Sequence, residues 1–127
     1  MRGVTYDTGA LLAAGRGDRR MRVLHARLTA RGIVPVVPTP VLAQVWREGP
    51  RHANLARLLA VCDSEALSEA QARRVGVLAG KARHSDIVDL TVVEGATRRG
   101  DGIVTSDARD IEAIARAAGA RLVIERI

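Results

Sequence analysis

Short runs of apolar, mostly β-branched residues alternate along the chain with longer segments whose apolar side chains recur at helical spacing. The short runs predict buried parallel strands at residues 4–6, 33–37, 102–105 and 122–124. The longer segments predict helices over residues 19–30, 40–48, 53–59, 69–82, 87–98 and 108–118. Because such helices cross over between parallel strands, the pattern predicts a three-layer α/β fold with a small, mainly parallel sheet flanked by helices.

Capping residues support several of these boundaries. Thr39 is suited to cap a helix that has Pro40 at its first position. Ser68 and Gln71 have the spacing of a capping box, in which each side chain bonds to the other residue's backbone. Gly119 suits the position just past the end of a helix.

Length and composition limit the classes of protein to which the chain can belong. The chain has 127 residues, no Phe, one Trp and one Tyr, so we expect one domain spanning residues 1–127 with an aliphatic core. Two aromatic residues cannot form the row of rings on which RNA-recognition sheets and OB barrels stack bases. A single cysteine, Cys62, excludes an intrachain disulfide and a cysteine-rich zinc site.

The charge is basic and is carried by arginine. Twenty basic and 14 acidic residues give a formal net charge of +6, and Lys81 is the only lysine. Guanidinium groups bind phosphates through paired hydrogen bonds, although a GC-rich genome also enriches arginine. No apolar run approaches the roughly 18 residues of a membrane helix, and the first residues lack a signal-peptide core, so we expect a cytoplasmic protein without membrane contact.

Aspartates lie where a parallel sheet places its ligand site, beyond the carboxyl ends of the strands. Asp7 and Asp107 each follow a predicted strand, and Asp89 lies in the first turn of an apolar helix. Each also has a structural explanation, as a helix cap or as an acid favoured by the helix dipole, and Asp86 suits a cap. The three histidines belong to no motif and suit surface or capping positions.

Carboxylates that converge repel one another unless they are protonated or bridged by a cation. Hard oxygen ligands are those that Mg²⁺ and Mn²⁺ prefer, so the three acids predict a site for one or two of these ions. Such ions activate water for in-line phosphodiester hydrolysis and need no protein nucleophile.

Four stretches of the chain, in order and at the usual spacing, resemble the PIN-domain ribonucleases, in particular the VapC-type toxins of bacterial toxin–antitoxin pairs. They are VTYDTGALL (4–12), PTPVLAQVW (38–46), DLTVVEGA (89–96) and IVTSDARD (103–110). The resemblance covers nearly the whole chain and implies a small parallel sheet flanked by helices. It also implies Mg²⁺- or Mn²⁺-dependent cleavage of single-stranded or looped RNA, with Asp7, Asp89 and Asp107 as the metal-site acids.

Gln44 departs from the family, which carries a glutamate at this position on the helix after the second strand. An amide oxygen still binds a cation or its water, but the site loses one negative charge and we expect a lower metal affinity. Glu48 lies four residues along the same predicted helix, and its carboxylate is a hypothetical replacement. The candidates for supporting the metal ligands from outside are Asp110, Asp86, Glu48, Thr105 and Thr8.

Arginines flank the matched stretches and are candidates for holding RNA phosphates, although a solvated basic face explains them equally well. They are Arg16, Arg19, Arg83, Arg98, Arg99 and Arg109. With few aromatics, we expect recognition of RNA shape and backbone, as in a tRNA or rRNA loop. The resemblance implies a homodimer and a cognate VapB-like antitoxin whose C-terminal segment lies near the active site.

Other functions stay open from the sequence. The main alternative is a PIN-like protein that binds RNA or a partner without cleavage because Gln44 weakens the metal site. A phosphatase that uses Asp7 as nucleophile would want a second aspartate two residues later, and Gly9 stands there. A response-regulator receiver domain would need an acidic pair after the first strand and a lysine after a late strand, and neither is present. Nucleotide binding at residues 15–17 lacks the third glycine of the fingerprint.

Overall fold

The computed structural model of the chain describes residues 3–127, without the side chain of Arg51. Its strands are β1 (Gly3–Tyr6), β2 (Val36–Pro38), β3 (Asp63–Glu65), β4 (Asp101–Thr105) and β5 (Ile124–Arg126). Its helices are α1 (Thr8–Gly15), α2 (Arg19–Ala30), α3 (Thr39–Val45), α4 (Ala53–Leu59), α5 (Glu69–Ala82), α6 (Ile87–Arg99) and α7 (Ala108–Ala117), with a 3₁₀ turn at Pro50–His52. No helix within residues 3–127 is both long and apolar enough to cross a membrane.

All strand pairs are parallel, in the order β3-β2-β1-β4-β5. Helix α6 packs over β1, β2 and β4 and contacts α5 and α7, whereas α1 packs against β1 and β4 and contacts α2, α3 and α4. Every residue of β4 is buried, as expected for a parallel strand covered on both faces. The predicted α/β architecture with a parallel sheet between helical layers is confirmed.

The register of β1 and β4 fixes where the chain leaves the sheet. Tyr6 lies opposite Val104, and Gly3 lies opposite Asp101. The carboxyl ends of the two central strands therefore meet at one edge, and the residues that follow them, Asp7 and Ser106, begin the loops there. This edge is called the carboxyl edge below.

Two elements escaped the prediction from sequence. Helix α1 buries Ala10, Leu11, Ala13 and Ala14 and is apolar nearly all round, so it shows no helical stripe. Strand β3 consists of the polar residues Asp-Ser-Glu at the edge of the sheet, where no apolar run is needed. Two further strands, β2 and β5, begin later than predicted, and β2 is delayed because the N–H of Ile33 still bonds to the end of α2 at Leu28 (2.9 Å).

The predicted helix over residues 40–48 is too long, because α3 ends at Val45 and Trp46 is extended with ψ of 128°. Glu48 therefore does not lie on the helix that carries Gln44. Its side chain lines a groove with Trp46 and His52 instead. The idea that Glu48 reaches back along a shared helical face is wrong for this reason.

The capping predictions have mixed outcomes. Gly119 follows α7 with a φ of +65°, as predicted, and Ser68 caps α5 by accepting the N–H of Gln71 at 3.1 Å. The reciprocal half of the capping box does not form, since the Gln71 amide donates to the buried Glu94 at 3.2 Å. Thr39 does not cap α3 but accepts the N–H of Leu67 at 3.2 Å.

Buried polar contacts join the sheet to the end of α6 on the side opposite the carboxyl edge. The Asp101 carboxylate accepts from the Thr5 hydroxyl at 2.8 Å and from Arg99 Nε at 3.0 Å, and Arg99 also donates to Thr5 at 2.8 Å. The Asp101 side chain is 7% exposed and that of Arg99 18%. A charged group that is this well shielded from water is stable only when it is paired, so the contact holds α6 against β1 and β4.

We expect Asp101→Ala to lower the free energy of unfolding by about 3 kcal/mol, because it removes the acceptor of a buried guanidinium and a buried hydroxyl. Urea unfolding followed by circular dichroism measures the change. The control is Glu69→Ala, whose pair with Arg73 has side chains 85% and 78% exposed and should cost less than about 0.5 kcal/mol. Equal losses in both variants would contradict the role given to Asp101.

Candidate active site

Asp7 is the most enclosed acid of the carboxyl edge. Its backbone N–H continues the sheet by donating to the carbonyl of Val104 at 3.2 Å. Its carboxylate caps α1 by accepting the N–H of Ala10 at 2.9 Å. Burial raises the pKa of Asp7, the Thr105 hydroxyl and the N–H groups of Ala10 and Gly9 lower it, and the charge of Asp107 raises it. One carboxylate oxygen of Asp7 is therefore fixed, next to a second acid.

The end of β4 brings Asp107 to the same place. Asp107 caps α7 through the N–H of Arg109 at 3.3 Å, and its own N–H donates to the buried Thr105 hydroxyl at 3.0 Å. The preceding residue, Ser106, lies so close to α1 that a Cβ on Gly9 would overlap its hydroxyl. Glycine at this position therefore lets the first turn of α1 approach the loop that carries Asp107.

Asp89 lies in the first turn of α6, which Asp86 caps by accepting the N–H groups of Val88 and Asp89 at 3.0 and 3.1 Å. The pKa of Asp89 is raised to about 6, first by burial and then by the charges of Asp86, Asp7 and Asp110, while His84 opposes the shift. Acids from three separate parts of the chain thus act on one carboxyl group. The structural expectation for Asp86, a helix cap, is confirmed.

The tightest group of prospective metal ligands is His84, Asp89 and Asp110, each offering one atom within 4.8 Å of the others. Asp7 and Asp107 lie outside this compact group, although the charge of Asp7 raises the pKa of Asp89 and the charge of Asp107 raises the pKa of Asp7. The sharing of one ion by Asp7, Asp89 and Asp107 stays a prediction.

His84 belongs to the site, although its sequence context suggested only a surface or capping position. Its Nδ1 accepts the N–H of Asp86 at 3.2 Å, and its Nε2 faces Asp110 Oδ1 at 3.8 Å. A neutral imidazole that accepts at Nδ1 carries its proton on Nε2, so it presents a donor to the acids. Arg83, with φ of +51°, turns the chain after α5 and sets this position. No periodicity or motif in the sequence signals such a turn.

Gln44 lies beside the residue that follows Asp7. The Thr8 hydroxyl donates to the Gln44 amide oxygen at 2.6 Å, which joins the start of α1 to α3. The amide oxygen keeps a second acceptor position, and Gln44 is exposed while Thr8 is half-buried. The position that differs from the resembled family is therefore in contact with the segment that carries Asp7.

The candidate arginines divide into two groups. Arg98 and Arg99, the last two residues of α6, are paired with Glu65, Glu94 and Asp101, so they are not free to bind RNA. The other four are exposed and form no ion pair with a residue that the structure describes: Arg16, Arg19, Arg83 and Arg109.

No family model matches the chain, and no curated protein matches it in sequence. Among solved structures it is similar to the crystal structure of VapBC2 from Rickettsia felis bound to a DNA fragment from their promoter. The TM-score is 0.76, and the match covers 98% of each chain at 15% identity. At this identity the likeness shows the fold alone, which is the PIN-like three-layer α/β fold that the sequence predicts.

We expect Asp89→Asn to stabilise the metal-free protein at pH 7.5. A carboxyl whose pKa rises from 3.8 unfolded to about 6 folded favours the fold below the lower value and loses that contribution as pH rises through the higher one. The neutral amide avoids this loss, so its advantage in melting temperature should shrink between pH 7.5 and pH 4.

Thermal unfolding in EDTA at several pH values measures this difference. Asp63→Asn, at the exposed start of β3, is the matched control and should show no comparable pH dependence. A lower melting temperature for Asp89→Asn at pH 7.5 would mean that the ionised carboxylate is favourably held.

Proposed function

We propose that the chain is a Mg²⁺- or Mn²⁺-dependent endoribonuclease, a VapC-like toxin that hydrolyses phosphodiester bonds. One observation supports this most: Asp89 is half-buried at the carboxyl edge beside Asp86, Asp7 and Asp110, and burial together with the charges of these three acids raises the pKa of Asp89 to about 6. Proteins seldom gather acids at such cost unless a cation or a proton compensates them.

The donor set fits a hard divalent cation. Asp7, Asp89 and Asp107 would hold it, with Asp110 close to Asp89, and all supply carboxylate oxygen. His84 fits less well as a ligand because its Nε2 carries the proton in the neutral form. When bound, the cation would supply an activated water and neutralise the charge that develops on the phosphate.

The chain's own residues would position the reacting groups. The N–H of Ala10 orients the Asp7 carboxylate, and Asp86 anchors the turn that carries Asp89. His84 Nε2 would hold a proton beside Asp110, where it can donate to a departing oxygen. Asp107 and Asp110 are exposed, which leaves the site open to a chain as large as RNA.

A second function is favoured by one observation, the amide at residue 44. With Gln44 in place of a carboxylate, the site has one negative charge fewer than the family it resembles, and a weakened site would leave a protein that binds RNA or a partner without cutting it. Cleavage and metal binding decide between the two.

The partners follow from the same proposal. The similarity in fold to a VapBC complex supports a cognate VapB-like antitoxin as the inhibitor of this chain. We also propose a homodimer, an RNA substrate such as a tRNA or rRNA loop, and action in the cytoplasm, where such RNA is found.

Purified chain, freed of any bound antitoxin, should cleave RNA in Mn²⁺ or Mg²⁺ and stop in EDTA. Asp89→Asn and Asp7→Asn should each lower the rate at least about a hundredfold, since each removes a charged ligand. The control Asp63→Asn, with the same change in charge far along the sheet, should cleave like the wild type.

Gel analysis of labelled total RNA and of tRNA measures the rates. Cleavage that persists in Asp89→Asn would indicate a contaminating nuclease. The absence of cleavage by the wild type with either ion would favour the function without catalysis.

Gln44→Glu should tighten Mn²⁺ binding several-fold and raise the cleavage rate, because it adds a carboxylate where the Thr8 hydroxyl already holds an oxygen. Isothermal titration with Mn²⁺ measures the affinity, and RNA cleavage measures the rate. Glu48→Ala is the control and should change neither, since Glu48 lies off the helix. Unchanged Mn²⁺ binding in Gln44→Glu would place residue 44 outside the metal site.

A further inference from the structure

We propose that the groove between α2 and β5 binds the phosphate backbone of single-stranded RNA on its way to or from the acidic site. The inference rests on the proposed function and names the surface that holds the substrate. The groove has a volume of about 340 Å³, and its charged lining consists of Arg19, Arg20, Arg27, Glu125 and Arg126.

The charge of the groove is not compensated from within the chain. Arg19, Arg20 and Arg27 lie on one face of α2, at positions that helical spacing brings together, and all are exposed. None forms an ion pair with any residue from 3 to 127, whereas Arg126 pairs with Glu112. Glu125 is the one acidic side chain among the residues that line the groove, so the three unpaired guanidinium groups outnumber it and the groove favours a polyanion.

The position of two of these arginines is unfavourable for the helix itself. Arg19 and Arg20 occupy the first turn of α2, directly after the cap Asp18. The partial positive charge of a helix N-terminus favours acids there and disfavours cations. Residues that break a local rule in this way are commonly placed for function, and an external anion would relieve the repulsion.

The groove adjoins the carboxyl edge. Ile127 is one of its lining residues, and the N–H of Ile127 donates to the carbonyl of Thr105 at 3.0 Å. The hydroxyl of the same Thr105 bonds to the N–H of Asp107 and acts on Asp7. A strand of RNA lying in the groove is thus one β-strand away from the acids. Val23 and Leu24 add apolar surface, which suits ribose and base faces between phosphates.

The test measures RNA binding without cleavage. Fluorescence anisotropy of a labelled single-stranded RNA is recorded in EDTA at about 50 and 200 mM salt, so that no metal is needed. The groove variant combines Arg19→Gln, Arg20→Gln and Arg27→Gln. The control variant combines Arg31→Gln, Arg116→Gln and Arg121→Gln, which removes the same charge from exposed arginines outside the groove.

We expect the groove variant to bind RNA at least about tenfold more weakly at the lower salt, while the control stays within about threefold of the wild type. The slope of log affinity against log salt should fall by about 2 in the groove variant, since each lost phosphate contact on a single strand removes about 0.7. Equal losses in both variants, or no binding by the wild type, would overturn the inference.

Two further measurements separate the alternatives. Poly-L-glutamate should compete only weakly with RNA, and equal competition would assign the groove to an acidic peptide instead. In cleavage assays the groove variant should raise KM and leave kcat nearly unchanged, because its residues lie away from the acids. If neither the wild type nor the variants cleave RNA but the groove variant still binds RNA more weakly, the proposed nuclease activity is rejected and the proposed RNA surface is kept. If the enzyme is active and the groove variant has an unchanged KM, only the proposed RNA surface is rejected.

Discussion

The parallel pairing of β1 with β4 is the constraint on which the candidate site depends. Tyr6 lies opposite Val104, so Asp7 and the Thr105–Asp107 turn leave the sheet side by side. A slip of one residue in this register would send Asp7 to the other face of the sheet and separate it from the Thr105 hydroxyl. The buried contact of Asp101 with Thr5 and Arg99 lies on the same two strands and α6. Stability and site geometry therefore share one register.

The acids that lie together at the carboxyl edge destabilise the folded protein when no counter-ion is bound. Asp7 and Asp89 both have pKa values raised by burial and by neighbouring acids, so each disfavours the ionised form that neutral pH imposes. His84 offers partial compensation, since its Nε2 lies 3.8 Å from Asp110 Oδ1 and the imidazole opposes the rise in the pKa of Asp89. A divalent cation compensates several carboxylates at once, which a single histidine cannot do.

Most of the fold follows from the sequence, because buried strands and amphipathic helices have distinct periods. The parts that escaped prediction lack such a period: α1 is apolar on nearly every face, and β3 is three polar residues at an edge. The positions of Asp7, Asp89 and Asp107 could be predicted from strand ends and from resemblance. The inclusion of His84 could not, because a left-handed Arg83 turns it toward the acids, and a Glu48 contact was predicted from a helix that in fact ends at Val45.

Arginine content alone does not identify an RNA surface, since the same side chain has two roles here. Arg98 and Arg99 pair with Glu65 and Asp101 of the sheet and with Glu94 of α6 itself, whereas Arg19, Arg20 and Arg27 form no ion pair with any residue from 3 to 127. The separation of charges has a further consequence. The carboxyl edge repels phosphate until a cation neutralises it, so a polyanionic substrate needs its positive contacts at some distance from the acids. A basic groove one strand away from an acidic centre satisfies both requirements, because it attracts the backbone without pairing with the carboxylates that must remain free for the ion.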